Sequence, residues 1–176
     1  MDTKLEKVID KSIPRVLLIE DNDTDAFIVQ KVLYNGMNDA RFTRATTLEA
    51  GEEILEKGQT DLLLLDLGLP DSVTSANTYA RVKKWADKIP VVIMTSVKDH
   101  ELARAMVREG AADFLNKDSI LENPGRIQHV IDFSMERHAI NRKMILDKEK
   151  AMQESKEKDS VLNCFMGGYS ITGGGN

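Results

Sequence analysis

Along this chain, short apolar runs recur, each ending on a polar residue and each followed by a stretch with helical spacing. The runs are Val16-Leu17-Leu18-Ile19, then Leu62-Leu63-Leu64-Leu65 and then Val91-Val92-Ile93-Met94. A run with no polar alternation fits a strand buried on both faces, as at the centre of a parallel sheet. Weaker strands are expected at Arg41 to Ala45 and at Ala112 to Asn116. Between them lie amphipathic helices. The first carries Ala26, Val29, Val32 and Leu33 and ends at Asn35-Gly36; the second opens at Thr46-Thr47-Leu48-Glu49, which has capping-box spacing, and ends near Gly58. The third is expected around Thr78 to Asp87, with Tyr79, Val82 and Trp85 or Ala86 on one face. A fourth, Asp99 to Glu109, has Leu102, Ala105 and Met106 as its stripe and stops at Gly110. The last helix is placed to start at Ile120 or Pro124. Five strands alternating with five helices predict an α/β fold: a doubly wound, five-stranded parallel sheet with right-handed crossovers and helices on both faces.

From about Arg126 the polar helical pattern runs on past any length the domain needs, without a breaker until Gly167. Positive and negative side chains balance along it, so it is no basic arm. Ile131, His138, Ile145 and Met152 fall seven apart while Ser134, Asn141, Lys148 and Ser155 interrupt the heptad, which leaves a solvated helix and a coiled coil both open. The organisation read from this is a domain over 14–123, a C-terminal helical extension over 124–162 and a flexible glycine-rich tail over 163–176.

Composition narrows the function. A chain of 176 residues has room for one domain and an appendage, and a net charge of -5 with no basic patch argues against nucleic acid as a partner. The single Cys164 excludes an internal disulfide, and no segment reaches membrane-spanning length, so a cytoplasmic protein without a membrane partner is expected.

The candidate chemistry lies at the strand ends. Asp66 closes the Leu run, Glu20-Asp21 close the first strand, Thr95-Ser96 close the fourth and Lys117 follows the fifth. In open α/β sheets ligands bind at the carboxyl ends of the strands. Alone, Asp66 reads equally as the start of a turn or a cap. If the ends converge, three carboxylates repel, by roughly 4 kcal/mol for two unit charges about 4 Å apart at an effective dielectric near 20. A cation is then required, and hard oxygen ligands with room for a phosphate suit Mg2+. Thr95 and Lys117 are the right types to hold phosphoryl oxygens. His100, His129 and His138 are scattered and have no metal spacing.

Taken together, this ordered set resembles the receiver domain of two-component response regulators, the CheY-like family. The resemblance implies a flavodoxin-like sheet of order 2-1-3-4-5. It also implies Asp66 as phosphoacceptor, with Glu20, Asp21, Asp66 and the Gly68 backbone carbonyl as metal ligands. Thr95 and Phe114 become switch residues, and Lys117 the phosphate-binding base. It implies Mg2+ as cofactor and a sensor histidine kinase or histidine phosphotransfer protein as partner, with autocatalytic phosphorylation and dephosphorylation and no turnover of an external substrate. The state would pass through the face of helix 4, strand 5 and helix 5 to the long helix, itself a candidate homodimer surface. Asp118 stands where the family usually has a proline in a cis peptide bond, so a trans bond is expected here. Ser72-Val73-Thr74-Ser75-Ala76 lacks the glycine common in that loop. Two other classes remain: a Mg2+-dependent phosphohydrolase using an aspartyl phosphate, disfavoured because Gly68 stands where its second acid belongs, and a dimerisation scaffold built on the same fold.

Overall fold

The structure is a computed structural model, and it describes residues 13–36, 40–96 and 100–167. Five strands, β1 (Arg15–Ile19), β2 (Arg41–Ala45), β3 (Leu62–Asp66), β4 (Val91–Thr95) and β5 (Asp113–Asn116), form one parallel sheet of order β2-β1-β3-β4-β5. This is the expected flavodoxin-like order. β3 lies at its centre, with Leu62 to Leu65 at 0% exposure, because a strand covered on both faces leaves no position for a polar side chain. Alternation divides that strand between two cores. Leu63 and Leu65 pack with Leu48 and Leu55 of α2 (Leu48–Glu56), Tyr79 and Val82 of α3 (Ser75–Val82) and Met106 of α4 (His100–Arg108). Leu62 and Leu64 pack on the other face with Val29 and Leu33 of α1 (Asp23–Gly36), Ile120 of α5 (Lys117–Glu122) and Ile127 and Ile131 of α6 (Gly125–Gly167).

Local chemistry moves several boundaries from those read in the sequence. α2 is capped by Thr47, whose hydroxyl accepts from the Ala50 N–H at 3.2 Å, and not by a Thr46–Glu49 box. The Leu48 and Glu49 N–H groups go instead to the Asp71 carboxylate, at 2.9 and 3.0 Å. α3 begins at Ser75, three residues before its expected start, because Thr74 caps it through the Asn77 N–H, and it tightens into a 3-10 turn over Lys83–Trp85. On α4 the buried positions are Ala103 and Met106, with Leu102 and Ala105 half-buried; Gly110, at φ 112°, ends that segment as expected. The largest shift is at Lys117, which is the first residue of α5 and not the end of a loop. Asn116 caps that helix by accepting from the Asp118 N–H at 2.8 Å. Pro124 then separates α5 from α6, giving six helices among the described residues where five were expected. No described peptide bond is cis, so Lys117–Asp118 is trans, as anticipated.

The chain divides into two units, one through His138 and one from Ala139 onward. In the first, Ile127 and Ile131 are fully buried, so the core draws on residues past 123, and Ile131 is unavailable as a docking position on the long helix. In the second, Ile140, Met144, Ile145, Leu146, Met152, Val161 and Leu162 are exposed on a helical segment. Of the 163–176 tail, residues 168–176 lie outside the described residues.

At the amino ends of the strands, Arg15 and Asp61 clamp β1 to the approach of β3. The Asp61 carboxylate accepts from the Arg15 guanidinium at 2.9 and 2.8 Å and from its backbone N–H at 2.9 Å. Those hydrogen bonds, the guanidinium's first, hold the Asp61 carboxyl below its ordinary value of 3.8. A carboxyl depressed on folding adds stability that is present above that value and lost as pH falls through the depressed one. Asp61→Asn should therefore cost about 1 kcal/mol at pH 7 by urea unfolding, given its partial exposure, and the gap from wild type should close below pH 4. Leu64→Ala should cost about 2–5 kcal/mol at every pH.

Candidate functional site

The parallel register delivers the acidic residues to one edge. Asp66, the last residue of β3, stands opposite Met94 of β4, and Glu20 continues β1 by donating its N–H to Ala45 O at 2.9 Å. The Glu20 and Asp66 side chains are buried while Asp21 is exposed, and one ligand-type oxygen from each lies within 4.8 Å of the others. Lys117 reaches into this group from the first turn of α5. Its ammonium lies 2.6 Å from Glu20 Oε2, 3.1 Å from Asp66 Oδ1 and 3.0 Å from Asp25 Oδ2, with only a tenth of its side chain exposed.

Burial and charge compete here. Burial pushes the Glu20 carboxyl up, and neighbouring Asp66 pushes in the same direction, while Lys117 pulls it down without cancelling the rise. For Lys117, burial lowers the value, but the hydrogen bond to Glu20, the charge of Asp66 and the hydrogen bond to Asp25 together hold it above the ordinary lysine value. Lys117 is thus a fixed cation, and Glu20 an acid whose ionised form is costly unless more positive charge is near.

The loop bearing the acids is itself fastened. Glu20 Oε1 accepts from the Asn22 N–H at 3.2 Å, and Asn22 Oδ1 caps α1 by accepting from the Thr24 and Asp25 N–H groups. Arg44 of β2 donates to Glu20 O and Asp21 O, both at 2.9 Å, and to Asp23 Oδ1 at 2.6 Å. It grips the backbone, leaving the Glu20 and Asp21 carboxylates free of its charge-assisted bonds. On the far side, Thr78 Oγ1 donates to Leu67 O at 3.2 Å, and Asp71 ties the loop after Asp66 to α2.

Of the sequence-predicted site residues, Glu20, Asp21, Asp66 and Lys117 are brought together. Thr95 is buried at the end of β4, one position beyond Met94, the register partner of Asp66. Gly68, two residues on, is exposed between buried Leu67 and Leu69, and an added Cβ there would stand 3.4 Å from Asp66 Oδ2. Phe114 is half-buried on β5, opposite Ile93 and against the core that contains α4. Sequence reasoning missed Asp25, Arg44 and Asp71. Asp25 is one of several acids at the start of α1, and nothing local singles it out; Arg44 and Asp71 act across the fold and likewise left no signal.

Two buried acids and one lysine thus meet at the carboxyl edge of a 2-1-3-4-5 sheet, the edge where such folds bind ligands. The chain belongs to the response regulator receiver domain family, whose family model matches residues 16–132, and it carries the receiver domain of a two-component response regulator. It is 30% identical over 117 residues to the two-component response regulator ORR3 of Oryza sativa, covering 63% of this chain and 85% of that protein. It is 30% identical over 109 residues to the transcriptional regulatory protein BasR of Escherichia coli, covering 61% of this chain and 47% of that one. In structure it resembles a CheY-like receiver domain protein from Methanospirillum hungatei, with a TM-score of 0.63 and 18% identity over 74% of this chain and 99% of that one. It also resembles the Mn2+-bound form of response regulator Rcp1, with a TM-score of 0.52 and 26% identity over 58% and 80%. No described helix is long and apolar enough to cross a membrane.

One stability effect and one binding effect follow from this arrangement. Without divalent cation, Asp66→Asn should raise the melting temperature by about 2–4 °C, because relief of roughly 1 kcal/mol of repulsion moves a domain of this size by that much; calorimetry in EDTA reads it. Arg44→Ala should leave β2 paired but loosen the acid loop, lowering Mg2+ affinity about tenfold by titration calorimetry.

Proposed function

We propose that this chain is a phosphoryl-accepting receiver domain in which Asp66 is the acceptor. The observation that carries this reading is the meeting of buried Glu20, Asp66 and the Lys117 ammonium, 3.1 Å from Asp66, at the sheet edge where ligands bind. Hard carboxylate oxygens grouped within 4.8 Å fit a small divalent cation, and the Mn2+-bound relative supports that fit. Glu20, Asp21, Asp66 and the Gly68 carbonyl would hold Mg2+, which supplies charge neutralisation to carboxylates and phosphoryl oxygens alike.

An Asp66 carboxylate oxygen attacks the phosphorus of the donor; the bond from phosphorus to the donor's nitrogen or oxygen breaks, and the donor keeps those electrons and takes up a proton. The product is an aspartyl phosphate. Lys117 and Thr95 hold phosphoryl oxygens by donating hydrogen bonds. In a separate hydrolytic step a water oxygen attacks phosphorus and the bond from phosphorus to the Asp66 oxygen breaks; the carboxylate is regenerated, inorganic phosphate departs and the water's proton passes to phosphate or solvent, so the protein would limit its own signal. In this family the donors are histidine kinases or phosphotransfer proteins, and a kinase or phosphotransfer partner in the cytoplasm, with no nucleic-acid contact from this chain, is our reading here. The new charge of about -1.5 to -2 draws Thr95 and Lys117 inward and biases Phe114 and the face built from α4, β5 and the helices α5 and α6 that follow it.

Incubation with acetyl phosphate and Mg2+ followed by intact-mass measurement should add one phosphoryl group to wild type and none to Asp66→Asn. A phosphorylated Asp66→Asn protein would sink the assignment. For output, we propose that the segment from Ala139 onward self-associates through Ile145 and Met152, modestly, since its heptad is interrupted. Sedimentation of the full chain with beryllofluoride should show a dimer that Ile145→Glu with Met152→Glu abolishes; monomers throughout would make the helix a passive linker.

A further inference from the structure

Lys117 has three N–H donors and no acceptor, and three carboxylates surround its ammonium: Glu20 at 2.6 Å, Asp25 at 3.0 Å and Asp66 at 3.1 Å. Two of the three also belong to the acid group suited to a divalent cation; Asp25 does not. Asp25 sits in the first turn of α1 with its side chain a third exposed, and it borders a small cleft with Ser96, Lys117 and Asp118. A divalent cation on Glu20 and Asp66 would draw on the same oxygens that now face Lys117 and would repel the ammonium. The lysine can leave those oxygens at low cost only if an anion outside the cation's ligand group still pairs with it, as Asp25 does at 3.0 Å, because a buried unpaired ammonium is expensive.

We propose that Asp25 is a positioning residue that retains the Lys117 ammonium when a divalent cation engages Glu20 and Asp66, and so sets the affinity of the site for that cation. The proposal rests on the receiver reading and adds a residue to it. Asp25 touches neither the cation nor the phosphoryl group; it acts through Lys117. Cation and lysine thereby occupy the acid pocket together, with the lysine kept within reach of Asp66.

The test is a double-variant cycle read by titration calorimetry with Mg2+ and Mn2+, without any phosphodonor. Asp25→Asn should weaken cation binding about fivefold or more in the otherwise wild-type chain, the range in which coupled sites operate. Asp25→Glu, which keeps the acceptor on a longer arm, should recover most of that loss. Lys117→Met should bind the cation more tightly than wild type, and adding Asp25→Asn to it should change the affinity less than twofold. If Lys117→Met does not fold, Lys117→Gln serves, being uncharged and polar. Equal weakening by Asp25→Asn in both backgrounds would mean that Asp25 acts through bulk charge alone and would overturn the proposal, as would no weakening in either. Failure of the receiver reading looks different: wild type would take up neither cation and no phosphoryl group, whereas failure of this inference leaves wild-type binding and phosphorylation intact.

Discussion

A single buried ammonium holds this molecule's functional edge in balance. Lys117 lies among Glu20, Asp25 and Asp66 with little access to water, and without it the carboxyl ends of β1 and β3 would bring like charges together in a poorly solvated place. Everything that fixes Lys117 therefore fixes the site. The parallel register sets Asp66 beside β4, the Asn116 cap starts α5 at the lysine itself, and Ile120, one turn further on, anchors that helix in the core. Sheet packing thus orients the pocket, whose residual negative charge would favour a cation, and only with that cation in place would a phosphoryl group be tolerated beside the carboxylates.

The supports around the pocket are built mostly from backbone contacts. Arg44 grips two carbonyls of the acid loop, Asp71 bonds two N–H groups of α2, and Thr78 donates to the carbonyl just after Asp66. Holding the chain rather than the acid side chains leaves the carboxylates of Asp66 and Asp21 out of these supporting bonds while their positions stay defined. The loop after Asp66 is thereby tied to α2 and α3. A charge change at Asp66 would therefore act on a loop already fastened to both helices.

Much of this was legible in the sequence because the buried sheet enforces an unambiguous pattern. Four leucines ending on Asp66 can hardly be anything but a central strand, and the order of Glu20-Asp21, Asp66, Thr95 and Lys117 carried the family. What escaped depended on side chains choosing among equivalent partners. Thr46 and Thr47 look alike as caps until Asp71, over twenty residues away, takes the remaining N–H groups. Ile131 reads as one step of a heptad until its first turns are seen to fill the core with Ile127. Asp25 looks like any other acid at the start of α1, since only the arrival of Lys117 from the other end of the domain distinguishes it.

The central claim is that Asp66, and no other acid of the pocket, receives the phosphoryl group. An acyl phosphate is reduced by borohydride to an alcohol, so borohydride treatment of the phosphorylated chain followed by peptide sequencing marks the acceptor directly. The account predicts homoserine at position 66 alone. Homoserine at position 21 or 25, or an unreduced position 66 in protein that has gained a phosphoryl mass, would contradict it.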